Sequence, residues 1–545
     1  MNVYATDMKS IHRIIVLIAV VCFAACTSNP NQIKVVILPG EAWWGAMDNP
    51  SSWKLGDGYS FPFTEGQNVE MDFRTETYSN NCVPFLVSST GRYIWSDEPF
   101  KFTLKDGVMC FEGDGAIEVV QAGNTLKKAY LAASAAHFPP SGAIPPEEFI
   151  TNPQYNTWIE LTYNQNQTDI LRYASDIVAN GFPSNAVFMI DDNWQKYYGN
   201  FEFKPERFPD PRGMMDQLHK MGFKVMLWLS PFISPDSPEF RELAKEELFV
   251  KYSFEDRPAI VNWWNGWSAM LDISNPATRE WLMSKLRYMQ KQYGVDGFKF
   301  DAGDAANYSP SNIRVFDGKS YGPRHTELWC RIAEKFPYNE LRASWKLAGQ
   351  SVVLRLCDKK YAWEAVASLV PAMINASMEG HIFVCPDMIG GGEFTSFLDL
   401  DSADIDQELI VRSCQIHAMM PMMQFSVAPW RILSKENLAI CRDAAWKHSK
   451  LGPYLLEQAR AGSVSGEPIV RPMDYAFPGE GFEKCSDQYM LGPDYLVAPM
   501  TSTGTIRSVK LPRGTWKDEL GREYEGGQQY EIEVPLSRIP VFVRL

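Results

Sequence analysis

Tyr293-Gly-Val-Asp-Gly-Phe-Lys-Phe-Asp-Ala-Gly-Asp304 is an apolar run that carries one lysine and then delivers an aspartate into a turn of small residues. Gly297–Phe300 reads as a buried strand, because it is short, aromatic and bounded by glycine, and a helical pattern over Pro276–Tyr293 precedes it. Lys299 and Asp301 are two apart and share one face of that strand. An interior charged pair at the C-terminal end of a strand is where a (β/α)8 barrel keeps its chemistry. Taken alone, the stretch equally suits an aspartate that merely caps the following turn.

Working outward, strand-then-helix alternation runs from about residue 150 to 473. Thr157–Tyr163, Ala186–Ile190, Lys224–Leu229, Gly297–Phe300, Ser351–Leu356, His381–Val384 and Met422–Ser426 read as strands, with Pro468–Val470 as an eighth. Amphipathic stretches such as Thr168–Asn180 lie between them. This texture implies a parallel sheet, and its length suits a (β/α)8 TIM barrel with insertions. A doubly wound sheet has the same periodicity, but no G-x-G-x-x-G follows the first strand. Residues 26–149 and 474–545 instead show short alternating runs broken by turn residues, which predicts a β-sandwich on each side of the barrel. The fold class is thus multidomain α/β. Trp43 and Trp44 either close the first sandwich on the barrel or sit on a loop near the site.

At 545 residues the chain has room for a large core and accessory modules. Its net charge of -14 argues against nucleic acid, whose binders need basic stripes to replace counterions. Lys9, His12 and Arg13 precede the apolar run Ile14–Ala25, the pattern of a signal peptide over 1–25. Phe23-Ala-Ala-Cys26 is similar to a lipoprotein cleavage box, so Cys26 is the expected lipidation site, with plain secretion as the alternative. Either reading places the protein outside the cytoplasm, in the cell envelope, touching the membrane only through a lipid anchor. The remaining cysteines form no C-x-x-C pair and have no histidine at ligand spacing, so no metal is expected.

Polar groups gather at the expected strand ends. Asp191 and Asp192 close strand two, Trp228 lies in strand three, Lys299 and Asp301 close strand four, Arg355 and Asp358 strand five, and Asp387 strand six. Glycoside cleavage needs two carboxyls, one to protonate the leaving oxygen and one to stabilise the anomeric carbon. Asp301 and Asp358, 57 residues apart, would come from adjacent strands on this reading. A carboxyl separation of about 5–5.5 Å would mark a retaining enzyme.

These motifs resemble family 31 of the glycoside hydrolases. The resemblance implies Asp301 as nucleophile and Asp358 as general acid/base, with Lys299, Arg355 and Asp191 binding sugar. Asp387 lies in a stretch similar to the family's Asp-Ile-Gly-Gly loop. The runs Asp191-Asp-Asn-Trp194, Val261-Asn-Trp-Trp-Asn-Gly266, Phe298-Lys-Phe-Asp-Ala-Gly303 and Met423-Gln-Phe-Ser-Val-Ala-Pro-Trp430 are most similar to the branch that holds the myogenesis-regulating glycosidase and bacterial α-galactosidases. Asp304 stands where the family usually has glutamate, and Gln424 where its glucosidase and xylosidase branches carry histidine. Asp192, Trp228, Gln424 and one of Trp263 or Trp264 are expected to line the sugar site. The expected activity is a retaining, exo-acting α-glycosidase without a cofactor, acting on an oligosaccharide or other glycoside and preferring α-galactose. The alternatives are an α-glucosidase or α-xylosidase, or a non-catalytic carbohydrate sensor on the same scaffold.

Overall fold

The structure, a computed structural model, describes residues 32–47, 61–74, 80–319, 322–398 and 404–545. The signal segment and Cys26 lie outside the described residues.

Eight parallel strands form the central sheet: β1 (Gln154–Asn156), β2 (Val187–Ile190), β3 (Lys224–Leu229), β4 (Gly297–Phe300), β5 (Tyr338–Leu341), β6 (Leu354–Arg355), β7 (Val384–Cys385) and β8 (Gln424–Phe425). They pair in chain order, β8 returns to pair with β1, and a parallel bridge between Met388 and Gln424 closes the barrel. The helix Pro276–Tyr293 shows how the sequence sets up the strand that matters most. Asn275 caps it by accepting from Ala277 N at 2.9 Å, a proline opens the first turn, and Gly294 ends it at φ +80°. Thr278, Leu282, Leu286 and Met289 recur at helical spacing and are buried, each leucine contributing about 1.5–3 kcal/mol. The chain therefore enters β4 from a firmly seated helix.

Three strand assignments need correction. Thr157–Tyr163 is not the first strand: β1 is Gln154–Asn156, and Trp158–Leu161 is a helical turn whose first N–H is bonded by Asn156 Oδ1 at 2.8 Å. Tyr338–Leu341 is a strand that hydrophobic patterning misses, because Asn339 and Glu340 are polar although buried. Everything after it shifts by one, so Arg355 and Asp358 belong to β6, Asp387 to β7 and Gln424 to β8. Val470–Pro472 is no barrel strand; it pairs antiparallel with Tyr489–Leu491 in the C-terminal sheet.

The flanking regions are sheets that grip the barrel. Before it, strands Gln32–Val36, Val108–Gly113, Phe100–Lys105 and Val69–Asp72 form one sheet, which faces a second built on Asn81–Ser88, Arg92–Ser96, Ile117–Gln121 and Trp43–Met47. Trp43 is buried in the core between these sheets, and Trp44 joins the core shared with the barrel, so Trp44 closes the sandwich on the barrel while Trp43 fills the sandwich itself. Ser344–Trp345, just past β5, adds a strand alongside Asn81 and Cys82. Asn375 Oδ1 accepts from Gly45 N at 2.8 Å and ties a barrel helix to the same sandwich. At the C-terminal end, a six-stranded antiparallel sheet and a two-stranded one enclose Trp516, Val509 and Phe542.

Candidate active site

β4 delivers Lys299 and Asp301 to the C-terminal rim of the barrel. Asp301 is held from three sides: Trp228 Nε1, from β3, donates to Oδ2 at 2.5 Å, Ala302 N donates to Oδ1 at 2.8 Å, and Lys299 Nζ stands 3.7 Å from Oδ2. Lys299 in turn donates to Asp191 Oδ2 at 2.7 Å. Burial alone would raise the Asp301 carboxyl, but Lys299, then Arg342 and Arg355, outweigh it and hold the group below the usual carboxylate range. Burial would lower the Lys299 ammonium, and the charges of Asp191 and Asp301 raise it. The result is a buried, fixed carboxylate anion beside a buried cation.

Asp358 follows β6 and is half-buried. Arg355 Nη1 donates to Asp358 Oδ1 at 2.6 Å and to Asp387 Oδ1 at 3.0 Å. Asp387 also accepts from Lys359 N at 2.8 Å and Gly392 N at 3.2 Å. A Cβ on Gly392 would fall 2.7 Å from Asp358 Oδ1 and 2.8 Å from Asp387 Oδ1, so the loop can pass the acids only as glycine. β4 and β6 are not neighbours, contrary to the adjacent-strand expectation; β5 lies between them, and Arg342 follows its last residue. Arg342 Nε is 3.5 Å from Asp301 Oδ1 and 3.5 Å from Asp304 Oδ2, while Nη1 is 3.8 Å from Asp358 Oδ2. One guanidinium thus faces both expected catalytic carboxyls.

These groups line a cavity of about 340 Å³ with Asp191, Asp192, Trp228, Lys299, Asp301, Arg355 and Asp358 on its walls. Asp191, Asp192 and Lys299 are buried at its floor, whereas Asp358, Glu393, Phe394 and Trp264 are more open and form its mouth. Asp192 Oδ2 accepts from Asn265 Nδ2 at 2.6 Å, and burial, then the Asp191 charge, pushes its carboxyl up to about 7.

Trp264 and Asn265 form the turn of a hairpin, Ile260–Trp263 with Gly266–Met270, inserted after β3. Trp264 is 45% exposed, lines the cavity and lies 4.9 Å from the Arg342 guanidinium. Trp263 turns inward, stacks on Phe232 at 4.4 Å and is 6% exposed. Three residues expected to meet sugar do not line the cavity. Trp263 is packing, Asp387 sits behind Arg355, and Gln424 is buried beneath the floor, donating to Glu340 Oε2 at 2.9 Å and Gln154 Oε1 at 3.1 Å.

Sequence reasoning missed Arg342, Glu340, Trp158, Tyr163, Glu393 and Phe394. Arg342 carried a usable signal: recognising Tyr338–Leu341 as a strand would have made it a strand-end cation.

Two family models match the chain: the family 31 glycosyl hydrolase TIM-barrel domain over residues 152–458 and the family 31 C-terminal domain over 466–545. The chain belongs to glycosyl hydrolase family 31. Myogenesis-regulating glycosidase from Mus musculus is 34% identical over 418 residues, covering 74% of this chain and 57% of the mouse protein. An alpha-xylosidase from Emericella nidulans is 26% identical over 541 residues, covering 90% of this chain and 65% of the relative. The chain therefore spans less than two-thirds of either relative's length. In fold it is similar to a Flavobacterium johnsoniae family 31 dextranase complexed with glucose, with a TM-score of 0.81 at 21% identity over 95% of this chain and 67% of that one.

Proposed function

We propose that the protein is a retaining, exo-acting α-glycosidase, with Asp301 as nucleophile and Asp358 as acid/base. The observation that carries this is the Asp301 carboxylate, buried as an anion by Trp228, Lys299 and Ala302 N, and sharing the Arg342 guanidinium with Asp358. Asp301 attacks the anomeric carbon as its bond to the leaving oxygen breaks, and Asp358 gives that oxygen its proton. Water then attacks the same carbon, surrenders a proton to Asp358 and frees Asp301. Family relatives named for xylose-, glucose- and isomaltose-containing substrates support α-linked sugars as the class. A buried floor and an open mouth suit a terminal sugar entering first.

The sugar we infer is α-galactose. Galactose differs from glucose at the 4-hydroxyl, and the floor offers Asp191, Asp192 and Lys299 as polar partners for that end of the ring. Gln424 does not reach the cavity and supports this choice only through the motif that contains it. A buried polar group left unpaired by the wrong epimer costs about 1–3 kcal/mol, or roughly five- to 150-fold in rate. The test is kcat/KM for aryl α-galactoside, α-glucoside and α-xyloside, side by side. A lead for glucose or xylose overturns the galactose assignment; no turnover of any of them overturns the enzyme reading. Residues 9–26 support export and a lipid anchor at Cys26 as part of the same proposal.

A further inference from the structure

Beneath the cavity floor lies a carboxylate that makes no contact with the cavity. Glu340 stands level with Lys299 on the neighbouring strand and is fully buried. Its Oε2 accepts from Gln424 Nε2, from β8, at 2.9 Å, and Gln424 also reaches Gln154 on β1 at 3.1 Å. Its Oε1 is 3.6 Å from Arg355 Nε on β6. The opposite end of that same guanidinium donates to Asp358 and Asp387. A guanidinium is a rigid planar fork, so the Glu340 carboxylate facing Nε as an ion pair, together with the Nη1 hydrogen bonds to Asp358 and Asp387, sets its orientation.

An apolar side chain would fill this place without desolvating a charge, and desolvation does raise the Glu340 carboxyl against the opposing pull of Arg355 and Lys299. Glu340 faces Arg355 Nε and accepts from Gln424, two polar contacts that an apolar side chain could not make. We propose that Glu340, held by Gln424, is a positioning residue that braces Arg355 and so keeps Asp358 aimed at the leaving oxygen. The inference rests on Asp358 being the acid/base.

Misaiming a proton donor matters most where the leaving group cannot depart without the proton. The experiment compares wild type, Glu340→Gln and Asp358→Ala on two substrates of whichever sugar is turned over: the α-glycosyl fluoride, whose leaving group needs little protonation, and an alkyl α-glycoside, which needs it fully. Glu340→Gln keeps the shape and removes the anion. It is expected to lose about tenfold or more in kcat/KM on the alkyl glycoside and no more than about twofold on the fluoride, since acid catalysis as a whole supplies roughly 10²–10⁴-fold. Gln424→Met, which frees Glu340 from its partner, should move the same ratio in the same direction by less, and serves if Glu340→Gln fails to fold. Equal losses on both substrates, or none on either, overturn the inference and leave Glu340 a structural residue. If Asp358→Ala shows the leaving-group dependence and Glu340→Gln does not, the positioning role alone falls. If Asp358→Ala shows none, the acid/base assignment falls and takes this inference with it.

Discussion

Asp192→Asn should stabilise the protein, and more so as the pH rises. The carboxyl is 2% exposed, stands beside Asp191, and is pushed by burial and that neighbour from 3.8 to about 7. In the unfolded chain it ionises near its ordinary value, so between about pH 4 and 7 the folded protein holds a proton that the unfolded one has released. Stability from this group is therefore fully present at acid pH and falls as pH rises through the folded value. From pH 5 to pH 8 the loss amounts to about two pH units of differential protonation, or about 3 kcal/mol. Asparagine has nearly the same shape, can accept from Asn265 through its amide oxygen, and does not ionise. With an unfolding entropy of roughly 2.1 cal/mol/K per residue, 3 kcal/mol corresponds to roughly 2–3 °C for a chain of this length melting as one unit. The assay is thermal denaturation of both proteins at pH 5 and pH 8 in the same salt. Taking variant minus wild type at each pH cancels other groups that titrate in this range, such as Asp474, whose carboxyl burial also pushes up to about 7. A variant-minus-wild-type difference that is the same at both pH values would refute the reasoning.

Two further outcomes follow from the placement of side chains. Asp301→Asn should lower turnover by several orders of magnitude while sugar binding persists, and a mechanism-based fluorosugar should label Asp301; a label on another residue, or inversion at the anomeric carbon, contradicts the assignment. Trp263→Ala should cost about 3–5 kcal/mol by emptying a stacked, buried site, whereas Trp264→Ala should change stability by less than about 1 kcal/mol and raise KM, and equal destabilisation by both would contradict the hairpin's orientation.

The parts of the fold that could be read from the chain are those where local signals agree. Pro276–Tyr293 shows an asparagine cap, a proline in the first turn, apolar residues at helical spacing and a terminal glycine, so its bounds can be read to the residue. Gly297–Phe300 is aromatic, carries a single lysine and is bounded by glycine, and reads as the strand it is. Trp263 and Trp264 were separable only by tertiary structure: adjacent residues on a hairpin point to opposite sides, and which side faces the cavity depends on where the insertion docks.

The failure to see Tyr338–Leu341 has a physical cause that bears on the site itself. Hydrophobic periodicity finds strands whose interior is apolar, but a barrel's interior becomes polar where it forms the floor of a charged cavity. Tyr338–Leu341 is polar in its middle because Glu340, level with Lys299, faces the barrel interior toward Arg355 and Gln424, while Asn339, on the opposite face, accepts from Val353 N and donates to Phe336 O. Missing that strand moved Asp301 and Asp358 onto adjacent strands and hid Arg342. With β5 restored, the two carboxyls lie on β4 and β6, and the residue that follows β5 falls between them, which is why a single guanidinium can reach both. A short polar run at the spacing where a barrel needs a strand is thus evidence for a strand, and for a site above it.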